Sequence, residues 1–189
     1  MKCRESGMPE EALWATFFDP EDALDRLWPA PLGDAVELGC GFGTFTLAAA
    51  RRSDGIITAL DIDAEMVAAV RLKAQAQALS RIRALEHDFI AGDLAVAPGS
   101  QTHVMIYNLL HLEEPVPLLR KAYAALETGG TLSVMHWRSD VPTPRGPPLA
   151  IRPAPQACAA WLTEAGFSRI EHVDLGSGCP YHYGLTAWR

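Results

Sequence analysis

Residues 36–44 read Val-Glu-Leu-Gly-Cys-Gly-Phe-Gly-Thr, an apolar run with one acid that leads into three alternating glycines, Gly39, Gly41 and Gly43. Set between a strand and a helix, such a run lets the chain turn tightly and bring bare backbone N–H groups against a ligand. The structural alternative is a turn that only packs a helix on a strand. What the neighbouring strands deliver to the same edge decides between them.

From Asp34 onward, short apolar runs alternate with longer helical patterns, the signature of parallel strands joined by crossover helices. The patterning predicts strands at 35–38, 56–60, 82–86, 102–107 and 131–135, and helices at 44–52, 64–79 and 115–127, the last stopped by Gly129-Gly130. A stretch with Pro142, Pro144, Pro147, Pro148, Pro153 and Pro155 follows, too proline-rich for regular structure and long enough to suggest a functional loop. A helix at 156–165 and strands at 170–173 and 184–188 complete the pattern. Ahead of it, Leu13, Trp14, Phe17 and Phe18 draw one apolar helical face, and Asp19-Pro20-Glu21-Asp22 opens a second helix with a cap, a proline at the first position and acids at the positive end of the dipole. The expectation is a doubly wound α/β fold in a single domain, residues 1–189: an N-terminal helical cap (1–33), a core that carries the glycine run (34–137) and a C-terminal loop, helix and final strands (138–189).

In such a sheet, ligands lie at the carboxyl ends of the strands. The second strand ends at Asp61, whose carboxylate can accept hydrogen bonds from a ribose 2'- and 3'-OH. Asp63, just before a helix, reads better as its N-cap. The third strand delivers Asp88 and Phe89, suited to an adenine amine and ring face, although Asp88 also reads as a solvated loop acid. A dinucleotide fingerprint, G-x-G-x-x-G, requires its third glycine where Thr44 stands, which counts against a pyrophosphate.

With 189 residues, 49% apolar and 21% charged, the composition is that of a globular protein. A net charge of -7 argues against nucleic acid and other polyanions, which need a positive field. Cys3, Cys40, Cys158 and Cys179 form no C-x-x-C pair, so reduced thiols in a cytoplasmic protein are expected, with no metal. Neither a signal peptide nor a membrane span is expected.

The segments VELGCGFGTFTLAAA, ITALDIDAEMVAAV, EHDF and VMIYNLLHLEEPVPLLRKAYAALETGGTLSVMHW, in that order across 35–137, resemble the successive motifs of class I S-adenosylmethionine-dependent methyltransferases. The resemblance implies a Rossmann-like seven-stranded sheet, mostly parallel with an antiparallel last strand and helices on both faces. It implies Glu37 near the methionine amino group, Gly39, Gly41 and Gly43 against the methionine part, Asp61 on the ribose with Ile62 beside it, Asp88 and Phe89 at the adenine, and Asn108 lining the methyl-donor pocket. S-adenosyl-L-methionine is the implied cofactor. The C-terminal third resembles a methyltransferase subgroup, without an assigned acceptor, that carries HW, TPRGP, IRP and YHYGL segments.

The expected acceptor is a small molecule, and three segments reach the carboxyl edge: 108–111, 136–155 and 176–183. Arg145 and Arg152 could clamp a carboxylate or phosphate, or instead hydrogen-bond loop carbonyls. His136, Tyr181 and His182 are candidate catalytic groups, or satisfied structural ones. His111, Trp137 and Tyr183 complete the substrate candidates, His111 also reading as pocket structure. Trp14, Phe17 and Phe18 are either a lid or a satellite hydrophobic cluster. Two other functions stay open: a nicotinamide-dependent oxidoreductase, and a regulatory protein that binds S-adenosylmethionine without turnover.

Overall fold

Seven strands form one sheet in the computed structural model, which describes residues 9–189. They are β1 (Ala35–Leu38), β2 (Ile57–Asp61), β3 (Ile82–Glu86), β4 (Gln101–Tyr107), β5 (Leu126–Trp137), β6 (Arg169–Val173) and β7 (His182–Trp188), in the order β3-β2-β1-β4-β5-β7-β6. Only β7 runs against its neighbours, pairing antiparallel with both β5 and β6. The helices are α1 (Glu11–Ala15), α2 (Pro20–Leu27), α3 (Thr44–Arg52), α4 (Ala64–Ala76), α5 (Pro115–Ala125) and α6 (Pro155–Ala165). None of the described helices is long and apolar enough to cross a membrane. Cys3 lies outside the described residues.

Several boundaries follow from local chemistry. Asp19 caps α2 by accepting from the Asp22 N–H, and Asp63 caps α4 by accepting from Glu65 and Met66. The glycines 129–130 do not stop α5. The helix ends at Ala125, Leu126 turns extended to pair with Gln101, and both glycines lie inside β5, where the register with β4 is irregular. There Gly129 N–H donates to the Arg189 carbonyl and Arg189 N–H to that of Gly130, so the glycines join the sheet. The proline-rich stretch holds one 3-10 turn, Leu149–Ile151.

Alternation along the central strands sorts side chains onto two buried faces. Val36, Leu38, Val104, Ile106, Leu132 and Val134 join α5 and α6 in one cluster. Ala35, Met105, Tyr107, Met135 and Trp137 join Phe17, Phe18 and residues of α2 and α3 in the other. Period two therefore sends Glu37 to the same side as Ala35, under α3.

Three histidines are sealed into this interior. His103 is fully buried, stacks on Trp28 with ring centroids 4.5 Å apart, and hydrogen-bonds Thr131 at 2.7 Å and Ser133 at 2.8 Å. Burial lowers His103, His136 and His182 from the ordinary 6.5 to about 3. The unfolded chain takes up those protons below about 6.5 while the folded chain refuses them, so stability present above that pH is lost as pH falls toward 3. Urea midpoints are therefore expected to fall steadily from pH 6.5 to 4, and His103→Asn to flatten the slope. An unchanged midpoint across that range would contradict it.

Candidate active site

The glycine run sits at the carboxyl end of β1, with all three glycines in the left-handed region: φ 78° at Gly39, 49° at Gly41 and 79° at Gly43. Their N–H groups are not presented to the cavity. Gly39 and Cys40 donate to the Leu60 carbonyl, Gly41 to Asp61 Oδ2 and Gly43 to the Cys40 carbonyl. The turn is so tight that the loop consumes its own donors, and what Gly39 and Gly41 offer the cavity is a wall without side chains. Gly43 faces away, and a Cβ there would meet Val70 Cγ2 of α4 at 2.9 Å. Gly43→Ala is expected to cost about 2 kcal/mol, from left-handed strain plus that clash. A urea titration in which the variant matches wild type would refute this.

Glu37 is 2% exposed, and its Oε2 accepts from the Thr46 hydroxyl on α3. Burial, opposed by that hydrogen bond, raises its carboxyl from 4.5 to about 8. It lines the cavity, an acid held ready for a cation. Asp61 ends β2, accepts from Gly41 N–H at 2.8 Å and Asp63 N–H at 3.0 Å, and is also raised by burial. Ile62 and Phe89 line the cavity beside it. Asp88 does not reach the wall; its Oδ1 accepts from the Ile90 and Ala91 N–H groups, closing its own turn. Asn108, just past β4, is held at φ 56°, and both polar atoms of its amide are buried without a protein partner. A strained residue with an unsatisfied amide on a cavity wall marks a site shaped for a ligand.

Glu37, Gly39, Gly41, Asp61, Ile62, Phe89 and Asn108 line a cavity of about 990 Å³ at the carboxyl edge of β1, β2, β4 and β5, whose wall continues through Trp14, Trp137 and the proline-rich loop. Residues 35–130, just over half of the chain, match the family described as Methyltransferase domain. The chain belongs to this family. The methyltransferase also resembles solved structures. A SAM-dependent methyltransferase from Aquifex aeolicus is 20% identical, with a TM-score of 0.75 over 90% of this chain and 89% of that one. A putative type 11 methyltransferase from Sulfolobus solfataricus is 21% identical, with a TM-score of 0.71 over 92% and 93%. A geranyl diphosphate methyltransferase in complex with SAM is 13% identical, with a TM-score of 0.69 over 90% and 84%. At these identities the likeness is one of fold. No curated protein matches the sequence.

At the far end of the methyltransferase cavity the sequence candidates divide. His111, Trp137 and Arg145 line it, as do Pro144, Pro147 and Ile151 of the loop. Arg152 does not. It donates to the carbonyls of Pro147, Arg138 and Arg145 and to the Thr143 hydroxyl, and lies 5.8 Å from the Trp137 ring centroid, so it ties the loop down. His136 and His182 are buried outside the wall, His182 with its ring centroid 4.1 Å from that of Trp137. Tyr181 packs near Phe17, and the Tyr183 hydroxyl donates to the Pro153 carbonyl beside Cys158. The turn before β7 does open on the carboxyl edge, since Trp137 pairs with His182, yet it adds nothing to the wall. Residues 136–137 and 108–111 matter because β5 and β4 end there.

Sequence reasoning missed Cys40, Thr44, Phe45 and Tyr107, all of which line the cavity. Cys40 and Thr44 stand inside the glycine run, and Tyr107 immediately precedes Asn108, so adjacency was the available signal. Among the described residues, no cluster of three histidines, cysteines or acids is arranged to hold a metal.

Proposed function

We propose that this methyltransferase moves a methyl group from S-adenosyl-L-methionine to a small molecule. The carrying observation is the single continuous cavity, which runs from Glu37 and the glycine run to Trp14, Trp137 and the proline-rich loop. When bound, the cofactor supplies an electrophilic methyl group on a sulfonium. Glu37 would hold its amino group, Gly39 and Gly41 leave room for the methionine part, and Gly43 sets the start of α3 behind them. Asp61 keeps lone pairs for ribose hydroxyls, while Ile62 and Phe89 flank the adenine, with Asp88 shaping that turn. The orphaned amide of Asn108 finds its partners on the ligand. Thus the residues present suit an amino acid joined to a nucleoside, not a pyrophosphate.

For the acceptor, the rings and prolines of the far wall favour an apolar body, and Arg145 in the same wall is the cation that an anionic substituent would meet. A cavity of this size suits a small molecule, and cytoplasmic action is consistent with the buried thiols of Cys40, Cys158 and Cys179. Methyl transfer in such a site draws on alignment and exclusion of water. Calorimetry with S-adenosylhomocysteine is expected to show one ligand per chain, and a deproteinised small-molecule extract to take label from methyl-labelled S-adenosylmethionine. No binding would overturn the reading. Binding without any label transfer would favour the regulatory alternative, and binding of a nicotinamide nucleotide instead would favour the oxidoreductase.

A further inference from the structure

His111 and His136 meet at the back of the acceptor end, His111 Nδ1 lying 3.2 Å from His136 Nε2. The outer nitrogen of His136, Nδ1, lies 3.2 Å from the backbone carbonyl of Trp137. A carbonyl only accepts, so Nδ1 of His136 carries the proton. His136 is fully buried, and among the described residues its ring hydrogen-bonds only the Trp137 carbonyl and His111, which keeps the ring neutral and leaves Nε2 as an acceptor. His111 must then donate from Nδ1. Its remaining nitrogen, Nε2, is unprotonated, belongs to a ring that lines the cavity, and has no hydrogen-bond partner among the described residues. The chain Trp137 carbonyl, His136, His111 thus fixes one tautomer at the wall. In the same way, a backbone or carboxylate acceptor orients the histidines of known acid–base sites.

We propose that His111 Nε2 is the proton acceptor of the methyl transfer, with His136 its positioning residue, and that the acceptor attacks through an O–H, N–H or S–H group. This rests on the methyl-transfer reading above. As the acceptor's heteroatom bonds to the methyl carbon, the methyl–sulfur bond breaks with its electron pair returning to sulfur. The heteroatom's proton passes to His111 Nε2 and leaves to solvent once product departs. Atoms and charge balance without another reactant: the sulfonium charge reappears as imidazolium. His136 on β5 is in contact with the ring; Glu37, Cys40, Asp61, Tyr107 and Arg145 are the charged or titratable groups that share its cavity wall, and Arg152, His182 and Tyr183 lie around His136. Burial lowers the His111 pKa from its ordinary 6.5, which favours the neutral ring.

Histidine-detected 15N NMR of the intact protein saturated with S-adenosylhomocysteine tests the tautomer without turnover. His111 is expected to show a pyridine-type Nε2 and a pyrrole-type Nδ1, and His136→Phe to redistribute the His111 proton between its nitrogens. A protonated Nε2 in wild type, or an unchanged tautomer in His136→Phe, overturns the proposal. Diethyl pyrocarbonate at pH 7 is expected to modify His111 while His103, His136 and His182 stay protected. In the labelled-extract assay, His111→Gln should lower the rate on the wild-type product at least 100-fold, with S-adenosylhomocysteine affinity within about threefold. His136→Phe should lower it about 10-fold and shift the pH profile. Full activity of His111→Gln would sink the base, whereas loss of S-adenosylhomocysteine binding by wild type would sink the methyl-transfer reading instead.

Discussion

Replacing Glu37 by Gln is expected to weaken S-adenosylhomocysteine at least 100-fold, about 3 kcal/mol, while the protein stays folded. The magnitude is that of removing one partner from a buried, charge-assisted hydrogen bond. The pH dependence makes the prediction specific. In the free protein the Glu37 carboxyl titrates at about 8 because burial opposes its charge, and an ammonium ligand must ionise it. Binding therefore releases a proton below pH 8, and affinity should rise about tenfold per pH unit from 6 toward 8 while the ligand amine stays protonated. Glu37→Gln should remove that slope. Stability moves the other way. The folded carboxyl keeps its proton up to about 8 while the unfolded one loses it near 4.5, so stability present below 4.5 drains as pH rises toward 8. With the three histidines pulling oppositely below 6.5, unliganded wild type should be most stable near pH 6.5, and Glu37→Gln should melt higher than wild type at pH 8. Flat affinity in wild type between pH 6 and 8 would refute the role given to Glu37.

Trp137→Ala is expected to carry the largest stability cost, about 3–5 kcal/mol, in line with emptying a fully buried aromatic site. Trp137 is 2% exposed, and its ring centroid lies 5.4 Å from Phe17, 6.4 Å from Phe18 and 6.4 Å from Trp14. Trp14 is only half-buried, so Trp14→Ala should cost about 1 kcal/mol and act mainly on ligand binding. Urea titrations and S-adenosylhomocysteine calorimetry on both variants decide it. A larger stability loss from Trp14→Ala than from Trp137→Ala would invert the assignment. The choice between lid and cluster thus divides by residue. Phe17 and Phe18 are core, while Trp14 is cavity wall. Deleting the first thirty residues would strip Leu24 and Leu27 from that core as well, so the deletion would unfold one face of the sheet and not merely open a lid.

The end of the cavity proposed for the cofactor was legible in the sequence as a place, because its residues are tied to strand ends, and strand ends can be read from apolar runs. Glu37, Gly39, Asp61 and Asn108 each lie within two residues of one, and Gly41 and Gly43 follow in the turn that leads into α3. The end proposed for the acceptor was not, because proximity there is set by packing. Arg145 and Arg152 read alike in a proline-rich loop, yet one lines the cavity and the other is spent on loop carbonyls. His136 and His182 looked like candidates for the wall, but the pleat turns both into the core.

The order of apolar runs, the glycine run and its following acids determined the α/β fold, the polarity of the sheet and the family, since these are local patterns of period and turn. Which donors the glycine loop keeps for itself, that Glu37 lies under Thr46, and that His111 rests on His136 were decided only by the tertiary structure. Each depends on where two elements far apart in the chain come into contact, and burial at that contact sets the hydrogen bonding and charge on which the chemistry depends.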